Sequence, residues 1–420
     1  MKILIVNYRY FISGGPERYL FNLKSQLENN GHEVIPFSIN YSHNVESEYS
    51  DFFVPPLSDR NEVYFRDQSW SFKSFMKTLE RAFYSPEVYK SLARLVDKTK
   101  PDFAVVLHFK RKLSPAVLKC LHDNKLPFVV RVSDFSYVCP NAHLIKENRV
   151  CEDCIKKGQI SSVRNRCVQG SLGASVVNYA AERFHQLFGY YNLVPMFVVP
   201  SRFTMGKMAE GGIEEKRLFH LPTFVNIPED SADPEKRAKQ IVYVGRLEPI
   251  KGLDTLLEAV KRLADNGEKS FNCVILGEGS KDYVETLKTY CEEHGLDNVS
   301  FGGRVDKQEV DCYLSQSLCS VVPSLWYENL PNAMLESMAL ATPVIASAHG
   351  SLAEHVKNGV NGYLFEPGQS EQLAEKIKII INNRESALEM GANALSFVKK
   401  HHSPQAHVEN LLAMKNKLFS

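Results

Sequence analysis

Short apolar segments alternate with amphipathic segments along the first half of this chain. The first apolar segment is KILIVN (residues 2–7), and the amphipathic segment PERYLFNLKSQLENN (16–30) follows it. Near-continuous apolar runs are typical of parallel strands that helices cover on both faces. Four further runs of this kind are HEVIPFSI, DFAVVLHF, PFVVRVS and MFVVPS. The first half of the chain is therefore predicted to be one parallel α/β unit.

The same pattern restarts after a charged stretch that contains proline, LPTFVNIPEDSADPEKRAKQ (221–240). The later apolar runs are IVYVGRL, NCVILGEG, VSFGGRV, LCSVVPS, TPVIAS and GYLFEP, with a helical pattern in LDTLLEAVKRLAD. We predict an α/β fold in which two Rossmann-like parallel-sheet domains face a central cleft. The predicted limits are 1–222 for the N-terminal domain, 223–395 for the C-terminal domain and 396–420 for a final helix, for which a return to the N-terminal domain is one option.

The amino-acid composition limits the classes of binding partner that are expected for this protein. The chain has 50 basic and 49 acidic residues, a net charge of +1 and no polybasic tail, so nucleic acid is not expected. No apolar run approaches the length of a transmembrane helix, and the N-terminus enters a strand pattern at once. We expect a cytoplasmic protein, with peripheral contact at the inner face of the membrane left open. The nine cysteines are then expected to be reduced thiols.

Candidate ligand-binding residues follow the predicted strands, because ligands of open parallel sheets bind at the carboxyl ends of strands. These residues are Gly14, Gly15, His108, Arg246, Gly277, Gly279, Gly303 and Arg304, together with the loop that contains Glu328. Most of them would face one cleft if the two sheets opposed their carboxyl edges. For the glycine pair, a plain tight turn is the alternative.

The stretch SLWYENLPNAMLESM (324–338) contains two carboxylates, Glu328 and Glu336, eight positions apart. Acids make up 49 of the 420 residues, so this spacing alone carries no information. Pro331, however, predicts the start of a helix, and the free N–H groups of a helix start attract anions. A ligand that offers both phosphate and hydroxyl groups, such as a nucleotide sugar, would suit both features.

A second stretch, VYVGRLEPIKGLDTLLEA (242–259), places Arg246 and Lys251 on a loop between a strand and a helix. Two cations at this position could hold a diphosphate, with arginine as a fork and lysine as a point charge. A solvated loop with unrelated charges is the alternative.

These two stretches, with GGPERYL (14–20) and NGVNGYLFEPGQSEQLAEKI (358–377), resemble the retaining glycosyltransferase family 4, which has the two-domain GT-B fold. The resemblance implies that Glu328 meets sugar hydroxyls and that Glu336 meets the ribose of a nucleotide-sugar donor. It also implies that Arg246 and Lys251 neutralise the diphosphate, with help from backbone amides around Asn329 and Leu330. LGEGS and FGGRV are similar, less specifically, to the nucleoside-binding strand ends of the family.

The implied reaction is transfer of a sugar, with retention of anomeric configuration, to a hydroxyl of a glycan or lipid-linked acceptor in polysaccharide or cell-surface glycan synthesis. No catalytic metal is expected, because fixed cations can stabilise the departing diphosphate and the loop lacks the carboxylates that magnesium prefers. The alternatives are a nucleotide-sugar isomerase or epimerase on the same fold and an inactive sugar-binding scaffold.

One departure from the family concerns acid–base residues. Many members carry a His-Asp pair where this chain has Ser133 and Asp134. His108 and Asp134 are the candidates to assist the acceptor hydroxyl. A structural histidine and a turn or helix cap remain the alternatives for these two residues.

A cysteine-rich insertion (139–167) is the most distinctive departure. It contains Cys139, Cys151, Cys154 and Cys167, and a C-x2-C pair flanked by one cysteine on each side can supply four thiolates to a tetrahedral zinc. A structural zinc is expected, with reduced core thiols as the alternative. Two aromatic stretches, VYFRDQSWSFKSFMKTLERAFYS (63–85) and GSLGASVVNYAAERFHQLFGYYNLVPMF (170–197), suit either a lipid-linked acceptor or membrane surface or, more simply, a buried core.

Overall fold

The computed structural model describes residues 1–57, 72–228 and 237–419. The strands in the first half are β1 (Lys2–Asn7), β2 (Glu33–Phe37), β3 (Phe103–His108), β4 (Phe128–Arg131), β5 (Ile145–Lys146), β6 (Arg149–Val150), β7 (Phe197–Val199) and β8 (Leu218–His220). The helices are α1 (Gly15–Asn29), α2 (Phe72–Phe83), α3 (Pro86–Thr99), α4 (Ala116–Asp123), α5 (Asp153–Lys156), α6 (Ser161–Arg164), α7 (Leu172–Leu187) and α8 (Arg202–Glu210).

Six of these strands form one parallel sheet in the order β2-β1-β3-β4-β7-β8. β1 lies between its two parallel partners, with Ile3 opposite Val34 on one side and Phe103 on the other. The apolar residues of β1 are buried because helices cover both faces of the sheet. The predicted parallel α/β unit is thus confirmed, and its strand order reverses beside the carboxyl end of β1.

The strands in the second half are β9 (Gln240–Val244), β10 (Asn272–Leu276), β11 (Val299–Gly303), β12 (Cys319–Val322), β13 (Val344–Ser347) and β14 (Gly362–Phe365). The helices are α9 (Leu253–Asp265), α10 (Lys281–Glu293), α11 (Lys307–Gln316), α12 (Asn332–Ala339), α13 (Gly350–His355), α14 (Ser370–Asn382), α15 (Arg384–His401) and α16 (Pro404–Phe419).

The second sheet is also parallel and has the order β11-β10-β9-β12-β13-β14. The chain leaves β9 toward one edge of the sheet and returns to β12 on the other side of β9. Ligands of such sheets bind at this reversal, beyond the carboxyl ends of the two strands. The two loops there are 245–252, after β9, and 323–331, after β12, and both were selected from the sequence.

The C-terminal helix α16 packs on α1 of the first sheet's domain. Val408 and Leu411 are buried in the same apolar cluster as Leu20 and Leu23 of α1. The linker between the sheets is described except for residues 229–236.

The two aromatic stretches give α2 and α7, which pack against each other, while residues 63–71 lie outside the described part of the chain. Large apolar side chains remain exposed on both helices, including Phe72 at 81% and Leu187 at 83%. A buried core therefore does not account for all of these residues. Among the helices described, none combines the length and the apolar character needed to span a bilayer.

Candidate functional site

Glu328 lies on the loop between β12 and α12 and is buried. Its Oε1 accepts hydrogen bonds from Lys251 Nζ at 2.7 Å, Ser324 Oγ at 2.7 Å and Trp326 Nε1 at 2.9 Å. Burial alone would raise the pKa of Glu328, but the charge of Lys251 and these hydrogen bonds lower it below its usual range. The loop therefore holds an ionised carboxylate in a fixed position.

Lys251 reaches Glu328 because its loop lies against the loop after β12. Gly252 has φ +76°, and a Cβ at this position would lie 1.9 Å from the carbonyl oxygen of Pro323. Only glycine fits both the left-handed conformation and the close approach. The ammonium of Lys251 also lies 4.9 Å from the centre of the Trp326 ring, a cation–π distance.

Arg246, on the same loop, has a different carboxylate partner. Its Nη1 donates to Glu248 Oε1 at 2.7 Å, and 58% of its side chain is exposed. The structure thus pairs the two predicted cations with separate carboxylates, Lys251 in a buried contact and Arg246 at the surface.

Glu336 lies on α12 and contacts the other domain. Arg18 of α1 donates to Glu336 Oε1 at 3.1 Å, and Glu336 is buried. The Gly14-Gly15 pair, at the start of α1, lies at the same junction, where Asn332 Nδ2 is 3.5 Å from the Gly15 carbonyl oxygen. Helix α12 begins at Asn332, one residue after Pro331, so the predicted helix start is confirmed.

Asn329 joins the loop after β12 to the N-terminal domain. Its Nδ2 donates to the Val132 carbonyl at 3.0 Å, its Oδ1 accepts from Thr204 Oγ1 at 2.7 Å, and its carbonyl accepts from Ser201 Oγ at 3.1 Å. The neighbouring Leu330 packs partly against the apolar residues of α12. The loop therefore has a fixed position relative to both sheets.

His108 and Asp134 meet at the carboxyl edge of the first sheet. His108 Nε2 lies 3.3 Å from Asp134 Oδ2, and Asp134 Oδ1 accepts from the Ser136 N–H at 2.8 Å. Burial would raise the pKa of Asp134, but His108 and the Ser136 N–H outweigh it and lower that pKa below its usual range. The His108 nitrogens are buried and form no well-oriented hydrogen bond within the described residues. The structure thus brings together the two residues that the sequence selected.

The strand-end glycines lie along the carboxyl edge of the second sheet. Gly277 follows β10 with φ +139°, and a Cβ there would lie 1.7 Å from the Gly245 carbonyl oxygen, so the two strand ends approach closely. Gly279 forms an isolated parallel bridge with Leu247. Gly303 ends β11, and the exposed Arg304 that follows it lies 3.8 Å from Glu278.

The four cysteines of the insertion converge around the β5-β6 hairpin. They lie close enough that the charges of Cys139, Cys151 and Cys167 would all act on Cys154, and burial raises the pKa of Cys154 to about 12. The Cys139 thiol donates to Asn141 Oδ1 at 2.9 Å, and burial raises the pKa of Cys139. All four are free thiols, and no three His, Cys, Asp or Glu side chains within the described ranges are arranged to hold a metal ion.

Sequence reasoning missed three residues at this cleft, Arg18, Trp326 and His143. The His143 and Trp326 rings lie 4.6 Å apart at 70°, so the cysteine-rich insertion reaches the loop after β12. Arg18 was visible as a cation in the first turn of a helix, and Trp326 as an aromatic residue beside Glu328. His143 gave no local signal, because nothing in CPNAH indicates which loop it meets.

Comparison with known sequences supports a family for the second domain. The family model described as "Glycosyl transferases group 1" matches residues 226–397. An uncharacterized glycosyltransferase of Methanocaldococcus jannaschii is 33% identical over 159 residues, which are 38% of this chain and 43% of that protein. The amylovoran biosynthesis glycosyltransferase AmsK of Erwinia amylovora is 30% identical over 166 residues, 36% of this chain and 40% of that protein. Each match thus spans less than half of either protein.

Comparison with solved structures extends over the whole chain. The sucrose-phosphate synthase of Thermosynechococcus elongatus superposes with a TM-score of 0.73 at 17% identity and covers 100% of this chain and 99% of its own. Anabaena HepE, solved in complex with UDP and glucose, superposes with a TM-score of 0.67 at 15% identity and covers 99% of each chain. At such identities the likeness establishes the fold. The chain therefore has the GT-B fold, and its residues 226–397 match the group 1 glycosyltransferases.

Proposed function

We propose that this protein is a metal-independent, retaining glycosyltransferase that moves a sugar from a nucleoside diphosphate sugar to a hydroxyl of a glycan or lipid-linked acceptor. The observation that carries the proposal is the ion pair of Lys251 with the buried Glu328, which lies where the strand order of the second sheet reverses. Across the cleft, His108 and Asp134 lie at the corresponding edge of the first sheet. The Anabaena neighbour that holds UDP and glucose supports a nucleotide sugar as the donor.

Breakage of the bond to the anomeric carbon builds positive charge on the sugar and negative charge on the departing diphosphate. Lys251 and Arg246 supply fixed positive charge for that diphosphate, so they lower the barrier where charge develops. Glu328 Oε1 is occupied by Lys251, Ser324 and Trp326, whereas its Oε2 accepts no hydrogen bond from the described residues. That oxygen is available to a hydroxyl of the transferred sugar.

On the acceptor side, ionised Asp134 can accept a hydrogen bond from the attacking hydroxyl, and His108 stabilises the charge of Asp134. Retention requires the acceptor to attack from the face that the diphosphate leaves. Glu336 would take the ribose, in exchange for or in addition to its contact with Arg18. The diphosphate would lie along Gly14, Gly15 and the amides of Asn329 and Leu330. The nucleoside would lie near Gly277, Gly279, Gly303 and Arg304.

The exposed apolar side chains on α2 and α7 support a lipid-linked acceptor at the inner face of the membrane, in polysaccharide or cell-surface glycan synthesis. Phe75 and Met76 of α2 are 45% and 49% exposed, and Phe188 after α7 is 61% exposed. Apolar side chains of this size, on helices that pack side by side, suit contact with acyl chains.

The four insertion cysteines are proposed to hold a structural zinc. Their convergence supports this proposal, since four thiols that lie close together can supply the ligands of a tetrahedral zinc. The thiols would have to move into a tetrahedral set, because they do not form one in the described structure. A zinc there would stabilise the insertion and take no part in the transfer.

The experiment is a screen of UDP-, GDP-, ADP- and dTDP-sugars against the purified protein. We expect one nucleoside diphosphate to raise the melting temperature, since saturation at about 100 Kd stabilises by about 2.7 kcal/mol. The matching sugar donor should be cleaved slowly to the free diphosphate, and the product formed with acceptor should keep the anomeric configuration by NMR. Lys251→Ala should abolish both effects, whereas Lys261→Ala, which removes an exposed Lys–Asp pair on α9, is the control.

Three outcomes would contradict parts of this proposal. A nucleotide-linked isomer as the product would indicate an epimerase, and no binding of any donor would indicate an inactive scaffold. Activity that EDTA abolishes and that magnesium or manganese, but not zinc, restores would exclude the metal-independent mechanism.

A further inference from the structure

The cysteine-rich insertion places a histidine at the cleft between the two sheets. His143 belongs to the insertion, and its ring lies 4.6 Å from the ring of Trp326 on the loop after β12. Trp326 is buried and donates its Nε1–H to Glu328. One aromatic ring therefore separates His143 from the carboxylate that the proposed function assigns to the donor sugar.

The charges around His143 are those of the proposed site. Asp134 from the first sheet and Arg246, Glu248 and Lys251 from the second all act electrostatically on the imidazole. The ring lies where the two domains meet, because His143 follows β4 of the first sheet and packs on Trp326, which follows β12 of the second. A bound sugar would occupy this same region.

The backbone holds His143 in place, while its ring nitrogens stay unoccupied. Asn141 Oδ1 accepts from the His143 N–H at 3.0 Å, and Asn141 Nδ2 donates to the Ile145 carbonyl at 2.6 Å. Ala142 and Leu144, on either side of His143, have φ of +66° and +51°, which makes this a tight turn. Neither ring nitrogen hydrogen-bonds any residue in the described portions of the chain. Imidazole nitrogens can donate or accept, so they suit hydroxyl ligands.

We propose that His143 is a catalytic-site residue that hydrogen-bonds the transferred sugar of the bound donor, and that the cysteine-rich insertion serves to position it. This inference rests on the proposed function and deepens it, because it names a residue that selects and orients the sugar. The contact would be made by the imidazole itself, beside the free Oε2 of Glu328. Packing on Trp326 would orient the ring, whereas the function of His143 would be the hydrogen bond to the sugar.

The test compares His143→Gln, which keeps a hydrogen-bonding group, with His143→Phe, which keeps an aromatic ring against Trp326. The probes are UDP, GDP, ADP and dTDP and the corresponding nucleotide sugars. The nucleoside diphosphate that binds most tightly is used in the later measurements. We expect both variants to bind the free nucleoside diphosphate within about twofold of the wild type by calorimetry. Release of the diphosphate from the sugar donor should fall about ten- to a hundredfold in His143→Phe and within about threefold in His143→Gln. The control is His122→Gln on α4, whose side chain is 57% exposed.

A second measurement is made on the wild-type protein, and a variant serves only to assign the resonances. In protein labelled with ¹⁵N-histidine, the ring resonances of His143, assigned by their absence in His143→Gln, should shift on addition of the sugar donor. Addition of the nucleoside diphosphate alone should shift them much less, because it lacks the sugar.

The outcomes separate this inference from the function on which it rests. Full turnover in His143→Phe, or ring resonances that do not respond to the sugar donor, would overturn the role of His143 and leave the transferase proposal intact. A wild-type protein that neither binds nor cleaves any of the donors would overturn both. Loss of turnover in His143→Gln with full turnover in His143→Phe would show that the ring only packs on Trp326.

Discussion

Glu328 and Glu336 carry the same side chain and lie on the same segment, but they have different environments. Glu328 accepts three hydrogen bonds on one oxygen, all from residues of its own domain. Glu336 forms an ion pair with Arg18, which belongs to the opposite domain. The buried position of Glu328 beside a lysine suits charge stabilisation during the reaction, whereas Glu336 lies where the domains meet and suits the holding of a ligand.

At the residue scale, substitution of each glutamate by glutamine should separate these roles. Glu328→Gln removes the negative charge that orders Lys251, so kcat should fall about a hundredfold while the donor Kd changes little. Glu336→Gln should raise the donor Kd about tenfold and leave kcat within about threefold. Steady-state kinetics and calorimetry with the identified donor measure both effects, and Glu389→Gln, on the exposed face of α15, is the control. Equal losses in kcat with unchanged Kd would contradict this division.

At the scale of elements, the cysteine-rich insertion is made of pieces that are too short to be stable alone. Its strands β5 and β6 have two residues each, and its helices α5 and α6 have four. Helices and hairpins of this length are unstable in water without tertiary support. Part of that support is the partly buried ion pair of Glu152 with Lys207 on α8, at 2.7 Å. Leu144 is buried in the apolar core and Ile155 packs against it, and a metal held by the four cysteines, as proposed, would add to this support.

Metal analysis tests the zinc proposal directly. After purification without chelators, we expect about one zinc per chain, and less than about half of that in Cys154→Ser. Cys312→Ser, which changes an exposed cysteine on α11, should keep the zinc of the wild type. A content under about 0.2 zinc per chain in the wild-type protein would contradict the proposal and favour reduced thiols.

In the molecule as a whole, the C-terminal helix α16 links the two domains. His407 of α16 contacts the Tyr19 hydroxyl of α1 through Nε2 at 2.8 Å and the Pro222 carbonyl through Nδ1 at 2.8 Å. These contacts suit a neutral ring whose Nδ1 donates and whose Nε2 accepts. Burial, together with the nearby charges of Arg131 and His402, lowers the pKa of His407 to about 3 and outweighs the hydrogen bond to the Pro222 carbonyl.

This histidine should make stability depend on pH in the mildly acidic range. An unfolded histidine binds a proton below about pH 6.5, whereas native His407 stays neutral down to about pH 3. The unfolded state therefore binds more protons, and His407 should reduce the free energy of unfolding by about 1.4 kcal/mol for each pH unit below about 6. His402, whose pKa burial lowers to about 3 as well, should add to this slope.

Urea unfolding at pH 7.5, 6 and 5 measures the effect. His407→Phe should be less stable than the wild type at pH 7.5, because two hydrogen bonds are lost, by about 1–3 kcal/mol. Its stability should then fall less steeply with acid than that of the wild type. Parallel pH curves for the two proteins would contradict a buried, neutral His407.

The architecture and the loops of the candidate site could be predicted from the sequence alone. Segments such as KILIVN and IVYVGRL became β1 and β9 because strands buried on both faces must be apolar throughout, which is a local property. Glu328 and Lys251 were also recognisable, because each lies on a loop directly after a strand, where parallel sheets bind ligands. The turn chemistry of Pro331 located the start of α12 to within one residue.

Which of these side chains meet depends on how the two domains dock, and the sequence does not show it. Arg18 and Glu336 are 318 positions apart, and His143 and Trp326 belong to different domains, so no local spacing could pair them. Whether Arg246 or Lys251 would contact Glu328 was equally open, because both are cations on one loop, and the close approach of Gly252 to Pro323 selected Lys251. A periodic pattern records which face of an element is buried, whereas the partner across a cleft depends on how two separately folded sheets dock.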